Sequence, residues 1–451
     1  MRPGQILFFG GQMTVIEQIL NGINKGKALY EREPGASEMT AAAGAGSGAD
    51  SEDRGDGDTA QCRSELFLGD NLEYMNRLVT EGYAGSFSLI YIDPPFFTKS
   101  KFNATVDLRD AGGKTHKIHH LAYDDRFDRN LEYYVENMTV RLLMMRDLLA
   151  DDGLMWVHLD WHSAHYIKLV MDELMGEKNF VNEIIWCYKS GGSGKRHFAR
   201  KHDTILVYSK TEKYYIEIPE EKSYNRGRKP YRFSGVEEFR DDYGWYTMVN
   251  MKDVWNIDMV GRTSGERTGY ATQKPLELMK RIVASSSRED GLVGDFFCGS
   301  GSLLEAAQLL GRSWKGCDSE ELAVSMARKR LSRAGADFSF SAGSSGRAEE
   351  GRADVEVLSK EMLEDGRYFY SCRIAEFLPD IDTGYIQLSD RQYVEAAIED
   401  DPVQFVDYIC ADGKLINVDS ANIQFIAGDD ADILITDVFG REYKAELHQE
   451  A

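Results

Sequence analysis

Residues 86–96 read SFSLIYIDPPF, an apolar run that ends on one acid, two prolines and an aromatic residue. A continuous apolar run of this length is typical of a parallel strand that is covered on both faces of a sheet. Two adjacent prolines remove two backbone donors and fix two φ angles, so neither a strand nor a helix continues through them. The stretch therefore predicts a buried parallel strand that ends in a rigid turn.

The turn after this strand carries a specific set of chemical groups. Asp93 offers a carboxylate, Pro94 offers a carbonyl that no following helix uses, and Phe96 offers an aromatic face. Together these groups can accept the two hydrogens of a planar exocyclic amine while the aromatic ring stacks on the plane of the ligand. The alternative is a turn with a purely structural role.

Strand and helix patterns alternate on both sides of this stretch. Strand-like runs include SELFLGD, LMWVHLD, LVGDFF and SWKGCD, and helical runs include NLEYMNRLVTEG, PLELMKRIVASSS and ELAVSMARKRL. Repeated βα units predict an α/β fold with a doubly wound, Rossmann-like sheet. Ligands of such a sheet bind at the carboxyl ends of its strands.

Two further strand ends suit a nucleoside ligand. In DFFCGSGSLLEAAQLLG (295–311), Gly299 and Gly301 lie in a strand-to-helix turn, where the backbone can approach a ligand closely. Asp318 ends the next strand, about 20 residues further on, where an acid meets ribose hydroxyls in nucleotide-binding folds. An ordinary tight turn and a helix-capping Asp318 are the alternatives. The third glycine of a dinucleotide fingerprint is replaced by Leu304, which argues against an oxidoreductase.

Charge is unevenly distributed along the 451 residues. The net charge is -22, yet residues 185–232 contain 12 Lys or Arg against 5 Asp or Glu, whereas residues 345–451 contain 9 against 25. Phosphate binding needs clustered cations, so the middle of the chain predicts a nucleic-acid contact. The acidic C-terminal part has strand-like runs in GYIQLSD, ANIQFIAG and DILITDV, and we expect a small acidic α+β domain that contacts protein or modulates access to nucleic acid.

Composition also predicts the domain boundaries. The segment MTVIEQILNGI indicates one amphipathic helix near the N-terminus, and two stretches rich in Gly, Ala and Ser indicate linkers. We expect an N-terminal segment (1–30), a disordered linker (31–61), an α/β domain (62–335), a second linker (336–355) and the acidic C-terminal domain (356–451).

The compartment follows from what the sequence lacks. No run approaches about 18 consecutive apolar residues, the N-terminus has no secretory pattern, and the six cysteines include no CxxC pair. We therefore expect a cytoplasmic protein with reduced thiols and no membrane contact. His158, His162 and His165 in WVHLDWHSAH are expected to pack or to form hydrogen bonds, with metal binding as the alternative.

Four motifs in a fixed order resemble those of the amino-methyltransferases of DNA. DPPF (93–96) is similar to their (Asp/Asn/Ser)-Pro-Pro-aromatic catalytic motif, and DFFCGSGS (295–302) is similar to their Phe-x-Gly-x-Gly motif for S-adenosylmethionine. LFLGDNLEYM and ATQKPLELMKRIV match two further motifs. The catalytic motif comes first, as in the circularly permuted beta group, which includes many adenine-N6 methyltransferases and the type III modification subunits. The resemblance spans roughly residues 64–331.

The resemblance implies transfer of a methyl group from S-adenosylmethionine to the N6 amine of adenine in double-stranded DNA, with no metal required. Its catalytic residues are Asp93, Pro94, Pro95 and Phe96. Its cofactor-binding residues are Asp70 at the adenine end, Asp318 at the ribose, Lys274 and Pro275 at the far side, and Asp295, Phe297, Cys298, Gly299, Gly301 and Ser302, mainly at the methionine end. Phe296 and Ser302 depart from the usual Pro and Thr of the family, so we expect altered packing with cofactor binding retained.

The DNA side is expected in an inserted target-recognition region at about 189–270. The stretches CYKSGGSGKRHFARKHD and SYNRGRKPYRF interleave cations with glycine and aromatic residues, which suits contacts to phosphates and base edges. The predicted DNA-binding residues are Lys189, Lys195, Arg196, Lys201, Arg226, Arg228, Lys229 and Arg232. A solvated loop is the alternative. The aromatic residues of YGWYTMVNMKDVWNI are expected in the core of this region.

Other functions and partners remain open at this point. Cytosine-N4 methylation uses the same turn, although its motif more often begins with Ser. A different hypothesis is an interaction subunit of a restriction or defence complex that retains the fold and docks its partner on the acidic C-terminal domain. A homodimer is a further possible assembly.

Overall fold

The computed structural model describes residues 13–36, 64–109, 112–125, 130–192, 195–261, 263–270, 272–344, 352–381, 383–416 and 423–449. Most of the first predicted linker, from residue 37 onward, lies outside these ranges. Across the described ranges, every helix is too short or too polar to cross a membrane.

From residue 64 to residue 342 the chain contains both strands and helices, with consecutive strands and, among the residues described, no α-helix in two stretches, 101–124 and 180–256. Within the described ranges, the helices of eight or more residues are α1 (Val15–Tyr30), α2 (Asn71–Thr80), α3 (Leu131–Leu148), α4 (Ala164–Met175), α5 (Leu276–Ser286), α6 (Ser302–Leu309), α7 (Glu321–Arg333) and α8 (Leu388–Asp400). The strands of this part are β1 (Ser64–Leu68), β2 (Phe87–Ile92), β3 (Lys101–Arg109), β4 (Thr115–Asp124), β5 (Leu149–Leu159), β6 (Phe180–Cys187), β7 (His202–Ser209), β8 (Glu220–Tyr224), β9 (Phe239–Asp241), β10 (Gly244–Asn250), β11 (Val254–Asn256), β12 (Leu292–Asp295), β13 (Ser313–Asp318) and β14 (Phe338–Ala342).

One sheet of nine strands organises this part, in the order β11-β6-β7-β5-β2-β12-β13-β1-β14. Six strands that are adjacent in this sheet, β5, β2, β12, β13, β1 and β14, pair in parallel. Strand β7 runs antiparallel to both of its neighbours, β5 and β6. The predicted α/β class is therefore confirmed, with a mixed sheet. Its central strands are buried on both faces, as the apolar run of residues 86–92 predicted.

The N-terminal amphipathic helix is confirmed as α1, which begins at a capping box between Thr14 and Glu17. It packs closely on α3 because two of its residues are glycines. A Cβ atom at Gly22 would lie 2.6 Å from the carbonyl oxygen of Glu132, and one at Gly26 would lie 2.5 Å from Cβ of Thr139. The described start of the predicted linker, 31–36, also packs on the domain, since the Gly35 amide donates to the Asn76 side chain at 2.9 Å.

The sequence missed the hairpin formed by β3 and β4, which directly follows the catalytic motif. The prediction of a linker over 336–355 was also wrong in part. Residues 338–342 form β14, because Phe338 packs on Trp314 with ring centroids 5.4 Å apart, and β14 pairs with β1 at the edge of the sheet. A further strand begins at residue 352.

The C-terminal part forms a second sheet. Its strands are β15 (Arg352–Met362), β16 (Tyr368–Leu378), β17 (Val406–Ala411), β18 (Lys414–Ile416), β19 (Ile423–Ala427), β20 (Ile433–Asp437) and β21 (Glu442–Gln449), in the order β18-β17-β20-β21-β15-β16-β19. The runs ANIQFIAG and DILITDV correspond to β19 and β20. The run GYIQLSD was wrongly predicted as a strand, because it holds a 3-10 turn and the start of α8.

The C-terminal sheet does not stand apart from the large domain. Its apolar side shares one core with the hairpin and with α7, through residues such as Val106, Leu322, Met326 and Phe439. Charged contacts surround this core. Arg328 and Lys329 of α7 form ion pairs with Glu442 and Asp407, respectively.

Candidate active site

Four adjacent parallel strands bring the predicted site residues to one edge of the sheet. Asp93 follows β2, Asp295 ends β12, Asp318 ends β13, and Asp70 follows β1. These strands are neighbours in the order β2-β12-β13-β1, so their carboxyl ends meet. The sequence prediction that these residues share an edge is therefore matched by the geometry.

Two neighbouring clefts lie at this edge and share Phe297. The smaller cleft, of about 30 Å³, is lined by Asp93, Lys274, Asp295, Cys298, Gly299 and Ser302, among others. The larger cleft, of about 190 Å³, is lined by Asp70, Asn71, Pro95, Arg141, Phe296 and Asp318, among others. Asp93 thus lies beside the glycine turn, within reach of a single ligand that occupies both clefts.

Asp93 has two differently placed carboxylate oxygens. Its Oδ2 forms an ion pair with the ammonium group of Lys274. Its Oδ1 is buried and has no hydrogen-bond partner among the described residues. The ammonium group of Lys274 also lies 5.4 Å from the ring centroid of Phe96. Lys274 was predicted at the far side of a cofactor; it lines the smaller cleft and contacts the turn of residues 93–98, which we call the catalytic turn after its predicted role. Pro275 directly precedes α5.

The turn itself is held by two side chains that the sequence did not single out. Asp125 accepts hydrogen bonds from the amides of Phe97 at 2.9 Å and Thr98 at 2.8 Å, and Tyr134 donates to the carbonyl of Pro95 at 3.0 Å. Phe97 has a φ of 60°, a left-handed conformation that is strained for a residue with a side chain. Asp125 is buried, and burial raises its pKa. These contacts fix the turn in one conformation.

A buried polar network lies behind Phe96. His158 contacts the Tyr91 hydroxyl through Nδ1 at 2.9 Å and the Asp203 carboxylate through Nε2 at 3.1 Å. Tyr188 donates to the other oxygen of Asp203 at 3.0 Å. Burial raises the pKa of Asp203, but His158, Lys274 and Tyr188 together outweigh burial, and the pKa is lowered. The rings of Phe96 and His158 are nearly parallel, with 16° between their planes and centroids 6.1 Å apart.

The predicted role of the histidines as hydrogen-bonding residues is confirmed for His158 and His162. The Nδ1 atom of His162 lies 2.6 Å from a carboxylate oxygen of Asp160. His158 lies on β5 and is fully buried, and protein side chains contact both of its ring nitrogens.

The glycine turn after β12 needs its glycines. Gly299 and Gly301 have φ angles of 49° and 73°, and a Cβ atom at Gly301 would lie 2.9 Å from Cβ of Ala327. The amide of Gly299 donates to Asp318 at 2.8 Å, and the amide of Glu320 donates to the same side chain at 3.0 Å. Asp318 thus caps local backbone groups, the role that was the alternative to ribose binding, and still lines the larger cleft.

The carboxyl groups at this edge influence one another. Burial raises the pKa of Asp295 well above its usual range, and the nearby Asp93 and Asp318 raise it further, against a hydrogen bond from the Phe297 amide. Burial and the proximity of Asp318 raise the pKa of Glu320 to about 7. Such a concentration of acids favours a ligand that carries positive charge.

Three other residues of the cofactor motifs have clear packing partners. Asp70 caps α2 by accepting from the Leu72 amide at 2.7 Å, and it contacts Arg141 at 3.0 Å. The Ser302 hydroxyl accepts from Arg330 at 2.6 Å. The residue that replaces the usual proline, Phe296, is fully buried and lines the larger cleft, and its backbone carbonyl accepts from the Asn71 side chain.

The predicted DNA-binding residues occupy two exposed segments. Lys189, Lys195 and Arg196 lie in the loop between β6 and β7, and Arg226, Arg228, Lys229 and Arg232 follow β8 of a small sheet with the order β8-β10-β9. The ammonium group of Lys201 instead donates to the carbonyls of Ser190 and Gly191 at 2.7 and 2.8 Å, so it closes the base of the first loop.

The aromatic residues of this region divide between core and surface. Trp255 is buried in the core of the large domain, whereas Tyr243 is exposed. The prediction of a purely internal role was therefore wrong for Tyr243, because the small sheet has too few strands to cover both of its faces.

These features lie at the carboxyl ends of parallel strands, where α/β proteins bind nucleoside-like ligands: a Pro-Pro turn, a glycine turn and clustered acids. Residues 87–329 match the family model N6_N4_Mtase, described as DNA methylase. The match covers more than half of the chain, and the chain belongs to this family.

Named relatives agree with this assignment. The type II methyltransferase M.EcaI of Enterobacter cloacae is 30% identical over 329 residues, which cover 59% of this chain and 69% of that protein. The type III restriction-modification enzyme EcoP15I Mod subunit of Escherichia coli is 29% identical over 162 residues, which cover 34% of this chain and 25% of that protein.

Solved structures show weaker similarity. The structure of the M1.HpyAVI-SAM complex gives a TM-score of 0.38 at 18% identity and covers 59% of this chain and 98% of that chain. PvuII DNA methyltransferase (cytosine-N4-specific) gives a TM-score of 0.41 at 17% identity and covers 62% of this chain and 95% of that chain. At these TM-scores the similarity adds nothing to the family assignment.

Proposed function

We propose that this chain transfers the methyl group of S-adenosylmethionine to the N6 amine of an adenine that is flipped out of duplex DNA. Membership of the DNA methylase family supports DNA as the substrate. The Asp that opens the DPPF motif supports adenine over cytosine, and the order of the motifs supports the circularly permuted beta group.

One observation carries this proposal: the buried Oδ1 atom of Asp93, which lacks a hydrogen-bond partner within the described ranges, lies in the same cleft as the glycine turn. Buried polar atoms are rarely left without a partner, so such an atom is a candidate for binding a substrate donor. An exocyclic amine is a donor of the required kind.

The residues at the strand edge fit a cationic nucleoside ligand. Asp295 would hold the ammonium end of S-adenosylmethionine, Gly299 and Gly301 would allow close backbone approach, and Asp318 and Asp70 would bind the adenosine end in the larger cleft. S-adenosylmethionine, when bound, supplies a methyl group that its sulfonium makes electrophilic. The clustered carboxyl groups complement the two positive charges of this ligand.

The catalytic turn would act mainly by positioning and electrostatics. Asp93 and the Pro94 carbonyl would accept the two amine hydrogens, which turns the nitrogen lone pair out of conjugation with the adenine ring. Phe96 would stack on the base, and Lys274 would orient the Asp93 carboxylate by binding Oδ2. The Asp93 carboxylate would also stabilise the positive charge that develops on the amine nitrogen. Flipping costs a few kcal/mol, which contacts in the pocket must offset.

The test is transfer of labelled methyl groups from S-adenosylmethionine to unmethylated duplex DNA, followed by mass spectrometry of the nucleosides. N6-methyladenine is expected from the wild-type protein. Asp93→Ala should abolish transfer, because it removes an amine acceptor, and should leave cofactor binding intact by calorimetry. Asp151→Ala, which changes an exposed acid on β5, serves as the matched control.

Each alternative has its own signature in this experiment. N4-methylcytosine as the product would establish the cytosine alternative. A folded wild-type protein that binds no S-adenosylmethionine would favour an interaction subunit that retains the fold. Full transfer by Asp93→Ala would refute the role of Asp93.

A further inference from the structure

We propose that Phe198 enters the DNA duplex and fills the space that the extruded base leaves. This inference rests on the proposed function, because only an enzyme that flips its target base creates such a space. It concerns a residue outside the catalytic and cofactor motifs, on the loop that joins β6 to β7.

Phe198 is the most exposed large apolar side chain in the described part of the protein, at 98% of its full accessible area. Its neighbours are cations: Lys195 and Arg196 precede it, and Arg200 and Lys201 follow it. Residues 189–202 contain no acidic residue. Among the described residues, no side chain covers this ring, and the flanking cations suit the phosphates on either side of an inserted ring.

The topology places this loop at the catalytic edge of the sheet. β7 pairs antiparallel with β5, and Thr204 near the start of β7 lies opposite Leu159 at the end of β5. Since β5 runs parallel to β2, the loop before β7 leaves the sheet at the same edge as Asp93. The amide of Tyr188 donates to the carbonyl of Lys201 at 3.0 Å and closes the base of the loop.

The loop is anchored close to Phe198. The guanidinium group of Arg200 lies 3.8 Å from the ring centroid of Trp161, which follows the end of β5. At the base of the loop, Tyr188 donates to Asp203, which contacts His158 behind Phe96. The loop that presents Phe198 and the turn that would hold the flipped base thus share one network of contacts.

These positions match what base extrusion requires. Removing a base from the stack leaves a gap and an unpaired partner base, and an inserted aromatic ring restores stacking on both. Trp161 is less suited to this role, because Arg200 covers its ring. Phe233 is also exposed, at 63%, but its ring centroid lies 5.4 Å from that of Tyr231, so it has a partner within the protein.

The experiment compares Phe198→Ala with the control Leu309→Ala on two duplexes that contain the methylation site mapped from modified DNA. Leu309 is a half-exposed apolar residue at the end of α6, and α6 starts at the glycine turn, so Leu309 lies away from the predicted DNA-binding segments. In one duplex the target base is paired, and in the other it lies opposite an abasic site, where extrusion costs less. Labelled methyl transfer gives the rate, calorimetry gives the affinity for S-adenosylmethionine, and 2-aminopurine fluorescence at the target position reports extrusion directly.

We expect Phe198→Ala to lower transfer to the paired duplex about tenfold or more, equivalent to about 1.4 kcal/mol of barrier, and to lower the 2-aminopurine signal. The defect should shrink strongly on the abasic duplex, and cofactor affinity should not change. Leu309→Ala should behave like the wild-type protein on both duplexes.

Two outcomes would overturn the proposal. Phe198→Ala could match the wild-type rate on the paired duplex, or its defect could be equally large on both duplexes, which would indicate general DNA binding. Either outcome leaves the proposed function intact, because that function is judged by the wild-type protein and by Asp93→Ala.

Discussion

Replacing Arg328 with methionine is expected to destabilise the protein by about 3–5 kcal/mol. Arg328 lies on α7, and its side chain is only 4% exposed. It forms an ion pair with Glu442 of the C-terminal sheet, donates to the Cys410 sulfur at 3.0 Å, and lies 4.0 Å from the ring centroid of Phe340. The substitution keeps most of the aliphatic volume, so the expected loss is mainly electrostatic.

The magnitude follows from burial. An exposed ion pair contributes about 0–1 kcal/mol, because water and salt screen it. Removing one member of a buried pair costs about 3–5 kcal/mol, because the other charge is left without compensation in a poorly hydrated site. Glu442 would be that charge, since its side chain is 16% exposed. Replacing both residues, as Arg328→Met with Glu442→Gln, should recover part of the loss.

The assay is urea unfolding of the full chain with two probes. All six tryptophans lie at or before residue 314, so their fluorescence reports the large domain, whereas far-UV circular dichroism reports both sheets. Both transitions should shift together, because the two sheets share one core. Lys178→Met is the matched control, since Lys178 and Glu212 form an exposed pair at 2.8 Å. A cost below about 1 kcal/mol for Arg328→Met would refute the reasoning.

Two further predictions concern a pH dependence and the glycine turn. Burial raises the pKa of Asp437 to about 6, against hydrogen bonds from the amides of Phe439 and Arg441. The stability that this carboxyl contributes is therefore greatest below its unfolded pKa of 3.8 and is lost as the pH rises through 6. Asp437→Asn removes this titrating group. Between pH 4 and pH 7, the urea midpoint of the variant should therefore fall less than that of the wild-type protein. Gly301→Ala should weaken S-adenosylmethionine binding and cost about 1–3 kcal/mol, because its φ is 73° and the new Cβ would meet Ala327. Gly311→Ala is the control, because Gly311 has a similar φ of 76° with open space around it. This variant should be strained but should keep its affinity for S-adenosylmethionine. Equal calorimetric affinities for the two variants would contradict this account.

The parts of the fold that the sequence predicted are those whose signals are local. The apolar run before Asp93 and the glycine pair at 299 and 301 need only their own neighbours in sequence to indicate a buried strand and a strand-to-helix turn. Because parallel strands end at one edge, knowing these local elements was enough to bring Asp70, Asp93, Asp295 and Asp318 together.

The parts that the sequence missed depend on contacts between distant residues. Lys274 binds Asp93 across 181 positions, and no spacing rule distinguishes that contact from a role in cofactor binding. The hairpin after the catalytic motif has many polar residues, and its apolar positions Ala104, Val106 and Leu108 become a core face only where the C-terminal part covers them. Asp125, which fixes the catalytic turn, follows that hairpin and could not be recognised before it.

The hairpin also connects the acidic C-terminal part to the catalytic turn. Its two strands begin and end beside the catalytic turn, where the amide of Lys99 donates to the carbonyl of Asp125 at 3.1 Å. Further along the hairpin, two backbone groups of His119 contact the C-terminal part. The carbonyl of His119 accepts from the amide of Gln387 at 2.9 Å, and the amide of His119 donates to the Asp390 carboxylate at 3.0 Å. One element therefore contacts both the catalytic turn and the acidic part.

This arrangement bears on the hypothesis that the acidic part serves to dock a partner. Asp407 and Glu442 already pair with Lys329 and Arg328, and Asp390 binds His119, so these acids are engaged within the chain. Any partner surface must use the remaining acids. Because the hairpin carries its apolar face into the shared core, removing the C-terminal part would expose that face next to the catalytic turn. The contacts thus connect the acidic part to the catalytic turn through the hairpin, and docking of a partner would be an addition to these contacts.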